Sequence, residues 1–133
     1  MQRTFSASLE QLYSMLAFIR ERAISAGFEP LIIARLELAG EDALVNIISY
    51  AYPEGQGSIE ILCSEPGRPG IQIALRDQGI AYNPLRAIKS VHTKDELGGY
   101  GIPLIVRIMD KVEYARENSD NVLTLVKYLE SIR

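Results

Sequence analysis

The run LELAGEDALVNIISYAYPEG, residues 36–55, decides how the chain folds. At a helical advance of about 100° per residue, Leu36, Gly40, Ala43 and Ile47 fall on one side, which is the face of a helix packed on a core. The helix is expected from about Leu31, just after the breaker Pro30, to Tyr50, where YPEGQG ends it. Asp42 and Asn46 interrupt the apolar character. They are i, i+4 neighbours about 40° apart at the edge of the packed face, whereas Glu41 points more than about 100° away from Asn46. A carboxylate beside an amide oxygen can orient a water or ligate a hard cation such as Mg²⁺; two polar residues on an exposed helix edge would look the same.

Upstream, RTFSAS reads as a short strand, and Ser8 is placed to cap a helix over LEQLYSMLAFIRERAISAG. Leu9, Leu12, Leu16 and Ile19 lie there at helical spacing, and Gly27 stops it. Downstream, SIEILCSE and GIQIALRD flank PGRPG as an antiparallel hairpin, and KVEYAR and NVLTLVKYL flank ENSD as a second one. Between them lies a long polar segment over roughly residues 78–100, followed by a short helix, IPLIVRIMD. Unstructured loops beyond about 12–15 residues are uncommon in compact domains and are often functional lids. The expected fold is therefore α+β: a two-layer sandwich of a mixed, mainly antiparallel sheet with helices on one face.

The whole chain, residues 1–133, fits one domain with a core of its own, since 47% of its residues are hydrophobic. A formal charge of −3 provides no basic field for a nucleic-acid backbone. No apolar run approaches the roughly 20 residues of a membrane span, and no signal-peptide core is present, so a cytoplasmic protein is expected. Cys63, the only cysteine, has no partner for an intrachain disulfide and reads as packing.

Two further segments carry chemistry. In LRDQGIAYNP, a strand ends at Asp77 and the chain turns at Gly79; the carboxylate can accept a bond from an amino group, and the glycine can let a flat ring approach. An ordinary turn after an edge strand is the other reading. In GGYGIPLIVRIMD, glycines at 98, 99 and 101 lead into a helix with Pro103 in its first turn. Such a junction is either an anion site at a helix N-terminus or a hinge.

Taken together and in this order, the segments resemble the nucleotide-binding core of the Bergerat-fold ATPases, the superfamily of gyrase, histidine kinases and the MutL proteins. Asp42 and Asn46 look like its N box, DQGIA like its first glycine box and GGYGI like its second. More closely, LELAGEDALVNIISYAYPEG, DQGIAYNPL, GGYGIPLIVRIMDKVEY and NVLTLVKYL resemble the anti-sigma-factor serine kinases of bacterial partner-switching systems. The resemblance implies ATP and Mg²⁺ as cofactors, with Asn46 on the metal and Asp77 on the adenine amino group. Gly79 would make room for the base, Gly99 and Gly101 would hold phosphate oxygens, and Thr124 would lie near the adenine. It also implies a homodimer that phosphorylates an anti-sigma-factor antagonist protein and sequesters a sigma factor.

The family's general base is usually a glutamate four residues before the N-box asparagine, and Asp42 stands there instead, one methylene shorter. A base must come within about 2.6–3.2 Å of the hydroxyl it deprotonates. The alternative is thus a nucleotide-binding regulatory adaptor that sequesters a partner without phosphoryl transfer.

Overall fold

In the computed structural model, which describes residues 1–81, 83 and 101–130, with residues 101–104 by their backbone alone, three helices cover one face of a five-stranded sheet. β1 (Gln2–Ser6) is followed by a 3-10 turn (Leu9–Gln11), α1 (Leu12–Ala26) and α2 (Pro30–Tyr50). Then come β2 (Ser58–Ser64), β3 (Gly70–Asp77), α3 (Gly101–Ile108), β4 (Lys111–Glu117) and β5 (Asp120–Tyr128). The strand order is β1-β2-β3-β5-β4, and each pairing among the described residues is antiparallel. The last strand thus lies inside the sheet, between β3 and β4.

The helix stripes and the strand alternation meet in one core. α1 buries Met15, Phe18, Ile19 and Ala23, and α2 buries Leu36, Gly40, Ala43 and Ile47 as its pattern predicts, together with Ile33, Ala39 and Leu44. From the sheet come Ile59, Ile61, Ile73, Leu75, Leu123 and Leu125, and from α3 Ile105 and Ile108. Leu9 departs from the expected stripe. It falls in the 3-10 turn ahead of α1 and is exposed, and Ser8 makes no side-chain capping bond. Gly27 ends α1 in the left-handed region at φ 101°, a conformation that glycine adopts without steric cost.

Strand register settles which side chains share a face. Ile73 lies across from Leu125, Leu75 from Leu123, and Asp77 from Asn121, so this alternate set points at the helices. Gln72, Ala74, Arg76, Val122 and Thr124 form the opposite face. There Arg76 is bonded to Asp120 at 2.9 Å and Glu117 at 3.2 Å and lies 3.8 Å from Glu60. One guanidinium thereby links β2 and β3 to the β4–β5 turn, where Asn118 takes a left-handed φ of 61°.

The end of α2 is tied to the end of β3. The Ala51 carbonyl accepts the Ile80 N–H at 2.9 Å, and a Cβ added at Gly79 would lie 2.1 Å from that carbonyl oxygen. Tyr52 strengthens the junction: its hydroxyl donates to the Ser58 carbonyl at 2.6 Å and accepts the Gln78 N–H at 2.8 Å. Because the obstacle at Gly79 is backbone, no rotamer change relieves it. Gly79→Ala is expected to lower unfolding free energy by about 1–3 kcal/mol, the usual cost of forcing a methyl into a filled space. The check is the urea midpoint, and an unshifted midpoint would show that the junction is loose.

Candidate nucleotide site

Asp42 and Asn46 lie half-buried on α2, one turn apart. Their link runs through the backbone: the Asn46 side-chain Nδ2 donates to the Asp42 carbonyl at 3.1 Å. That commits the amide nitrogen and leaves the amide oxygen as the group able to ligate or accept. Asp42 Oδ2 is buried with no hydrogen-bond partner among the described residues. Burial pushes the Asp42 carboxyl above the usual carboxylate range, and the neighbouring Glu41 charge adds to the rise. A half-buried acid with an orphaned oxygen and raised proton affinity is arranged to take a proton. Glu41 itself is exposed and lines the groove between α1 and α2 with Tyr13, Arg20 and Glu37, turned from Asn46 as helical geometry requires.

Asp77, at the end of β3, is 3% exposed. Its Oδ1 accepts two bonds, from the Gly79 N–H at 2.8 Å and from Asn121 Nδ2 at 2.9 Å. Asn121, equally buried, also donates from Nδ2 to the Ile80 carbonyl at 2.7 Å. Its Oδ1 receives the Tyr114 hydroxyl and, at 3.0 Å, Arg116 Nη1, which reaches the Gly79 carbonyl at 3.0 Å as well. Asp77 is therefore held in one orientation by a network spanning β3, β4 and β5. Both described bonds use Oδ1, so Oδ2 retains capacity to accept from an amino group.

The Ala51–Ile80 bond brings these two groups to the same end of α2, since Asn46 precedes Ala51 by five residues, or about 7.5 Å of helix rise. Gly79 accordingly serves first as a packing glycine against Ala51. Thr124 is not brought to Asp77. It sits half-buried on the opposite sheet face, across from Ala74 and Glu113, lining a cavity of about 450 Å³ with Asn83 and Val122. The residue that faces Asp77 is Asn121, which sequence reasoning missed. The phase of β5 carried the signal: Leu123 and Leu125 are the inward residues, so 121 points inward and 124 outward. Gly101 begins α3, which packs on α2; Gly99 and the expected lid lie outside the described residues, apart from residues 78–81 and 83.

The donor set suits a nucleotide with a hard cation. Among the described residues no group of three His, Cys, Asp or Glu side chains could hold a metal alone. Mg²⁺ commonly uses one or two protein oxygens and takes the rest from phosphate and water. Cys63 offers no alternative chemistry, because burial pushes its thiol up to about 11 and leaves it protonated at neutral pH. Among the described residues no helix is long and apolar enough to cross a membrane.

Known proteins resemble the chain in sequence and in fold. The chain is 29% identical over 97 residues to the serine/threonine-protein kinase BtrW of Bordetella bronchiseptica, covering 70% of this chain and 68% of that one. It is 30% identical over 108 residues to the serine-protein kinase RsbW of Halalkalibacterium halodurans, covering 74% and 64%. The chain thus spans about two thirds of the length of these curated relatives. Among solved structures, the crystal structure of the RsbU and RsbW domains of Rv1364c from Mycobacterium tuberculosis matches with a TM-score of 0.68 at 15% identity, over 96% of this chain and 32% of that one. The histidine kinase domain of a blue-light activated kinase from Erythrobacter litoralis matches with a TM-score of 0.55 at 13% identity, over 74% and 45%. Residues 5–127 match the histidine kinase-like ATPase domain, and the chain belongs to that family.

Proposed function

We propose that this protein is an ATP-dependent serine-protein kinase that acts as an anti-sigma factor and phosphorylates an anti-sigma-factor antagonist protein. Kinship with chains named serine-protein kinases supports the reaction class. The observation that carries the reading is the buried Oδ2 of Asp42, without a partner among the described residues, one turn from Asn46 and on the helix whose end is tied to the turn after Asp77.

In this reading Asp77 Oδ2 accepts the adenine amino group while Asn121 and the Gly79 N–H hold Oδ1. Guanine presents an oxygen at the equivalent position and would oppose the carboxylate, so the pair selects adenine. The amide oxygen of Asn46 ligates Mg²⁺, which neutralises phosphate charge when bound. Asp42 Oδ2 takes the proton from the acceptor serine as its oxygen forms the new bond to the γ-phosphorus and the bond to the ADP oxygen breaks. The missing methylene at position 42 is offset by where the oxygen sits: it is inside, orphaned and drawn toward protonation. This supports transfer over the reading of an adaptor that only binds.

The rest of the proposal is regulatory. Phosphate on the antagonist adds charge that weakens its docking, freeing the kinase to hold a sigma factor. Residues 1–133 act as one ATP-binding unit, as a homodimer in the cytoplasm, without direct contact to nucleic acid or membrane. Gly99 and Gly101 contribute backbone N–H groups to the phosphates. The adenine-side position expected of Thr124 belongs to Asn121, because Thr124 lies on the other sheet face.

Asn46→Ala is expected to abolish Mg-dependent ATP binding while changing stability by no more than about 0.5 kcal/mol, as for an edge residue. Calorimetry with Mg-ATP reads the first and melting without nucleotide the second; full affinity in the variant removes the metal role. Asp42→Asn should eliminate labelled-phosphate transfer yet keep ATP protection, worth about 2.7 kcal/mol at a hundredfold excess over Kd. Because the folded-state pKa of Asp42 is raised, its ionisation costs stability above that pKa, and the cost is absent below the unfolded value. The same variant should therefore melt higher than the native chain at pH 7, with the gap closing as pH falls through the carboxylate range. A gap independent of pH would contradict the burial argument. Asn121→Ala should reduce the preference for ATP over GTP by about tenfold, the value of one charge-assisted bond, and an unaltered ratio would exclude Asn121 from base selection.

A further inference from the structure

A second cavity lies at the other end of the elements that carry the nucleotide site. Arg35 on α2, Arg107 on α3 and Lys127 on β5 line a space of about 230 Å³, with Ile32 and Ile108 as its apolar wall. Each cation is far along its element from the site. Arg35 precedes Asp42 by two helical turns, Arg107 is in the last turn of the helix that Gly101 begins, and Lys127 lies six residues, about 20 Å, beyond Asn121.

The electrostatics of this cavity are unbalanced. Among the described residues none of the three cations forms an ion pair or a hydrogen bond; the ion pairs present use Arg20 and Arg76. Asp110, close by in sequence, has Oδ2 committed to the Tyr128 N–H at 2.8 Å. Among the described residues no carboxylate lines the space. In a chain of net charge −3, three cations gathered on one hollow with no counter-charge among the described residues repel one another and attract an anion.

Shape and polarity choose among anions. The volume is below the roughly 300–1,000 Å³ of sites that enclose a nucleotide-sized ligand. Arg107 stands in the last turn of α3, whose negative dipole end weakens the pull on any anion and does so more for a multiply charged phosphate than for a single carboxylate. Ile32 and Ile108 would waste their contact on a bare ion, but they suit the methylenes of an acidic side chain and an apolar neighbour. We propose that Arg35, Arg107 and Lys127 form a docking site for an acidic, partly apolar segment of a partner protein, separate from the nucleotide site.

The test needs no nucleotide, so its outcome is separate from that of the kinase reading. A fluorescein-labelled peptide of alternating glutamate and leucine is titrated with the full chain at low ionic strength and followed by anisotropy. Saturable binding is expected, weakened about tenfold or more in R35E/R107E and by less in R35Q/R107Q, while R3E/K111E, with the same change of net charge elsewhere, stays within about twofold of native. All the substituted residues are exposed, and melting curves check that each variant folds. Absence of saturable binding to the native chain, or equal weakening in the two reversal variants, overturns the proposal. So does displacement of the peptide by inorganic phosphate but not by sodium chloride of equal ionic strength, which would assign the cavity to phosphate.

Discussion

The site depends on a single backbone contact, the Ala51 carbonyl against Gly79 and Ile80. A helix leaves its last carbonyls without internal partners, and here one is satisfied by the turn that follows β3. The bond does more than end α2. It fixes the distance between a helix edge bearing Asp42 and Asn46 and a strand end bearing Asp77, residues over thirty positions apart in the chain. Tyr52 guards the same joint from the other side through Ser58 and Gln78.

Burying Asp77 and Asn121 would destabilise the sheet if either were left unpaired. Their network satisfies them reciprocally, and Arg116 and Tyr114 complete it from the edge strand. The contrast with Asp42 is informative. Asp77 accepts two bonds on Oδ1 and is held still, whereas Asp42 keeps a buried oxygen with no donor among the described residues. Two carboxylates in one small α+β unit are thereby placed in opposite polar surroundings.

Much of this was legible in the sequence, because it rests on local periodicity. The stripe Leu36, Gly40, Ala43, Ile47 placed α2 and put Asp42 and Asn46 at its edge, and the two hairpins announced themselves through β-branched runs around PGRPG and ENSD. The pairing of β3 with β5 was not legible. It joins strands more than forty residues apart, and nothing local sets its register, so Asn121 went unnoticed while Thr124, one step out of phase, looked suitable. Gly79 was found for a different reason from the one that holds it: the expected space for a base is, first, a close approach to Ala51.

The position of β5 between β3 and β4 also bears on how the molecule is made. Until that strand emerges from the ribosome, β3 presents an unpaired edge flanked by Ile71, Ile73 and Leu75. Long-range pairing of this kind is slow, and an open apolar edge invites association with other nascent chains. The fold thus delays its central closure until β5 has been made, and the same event assembles the Asp77–Asn121 pair, so a chain halted before β5 would be both sticky and unable to hold its acid in place.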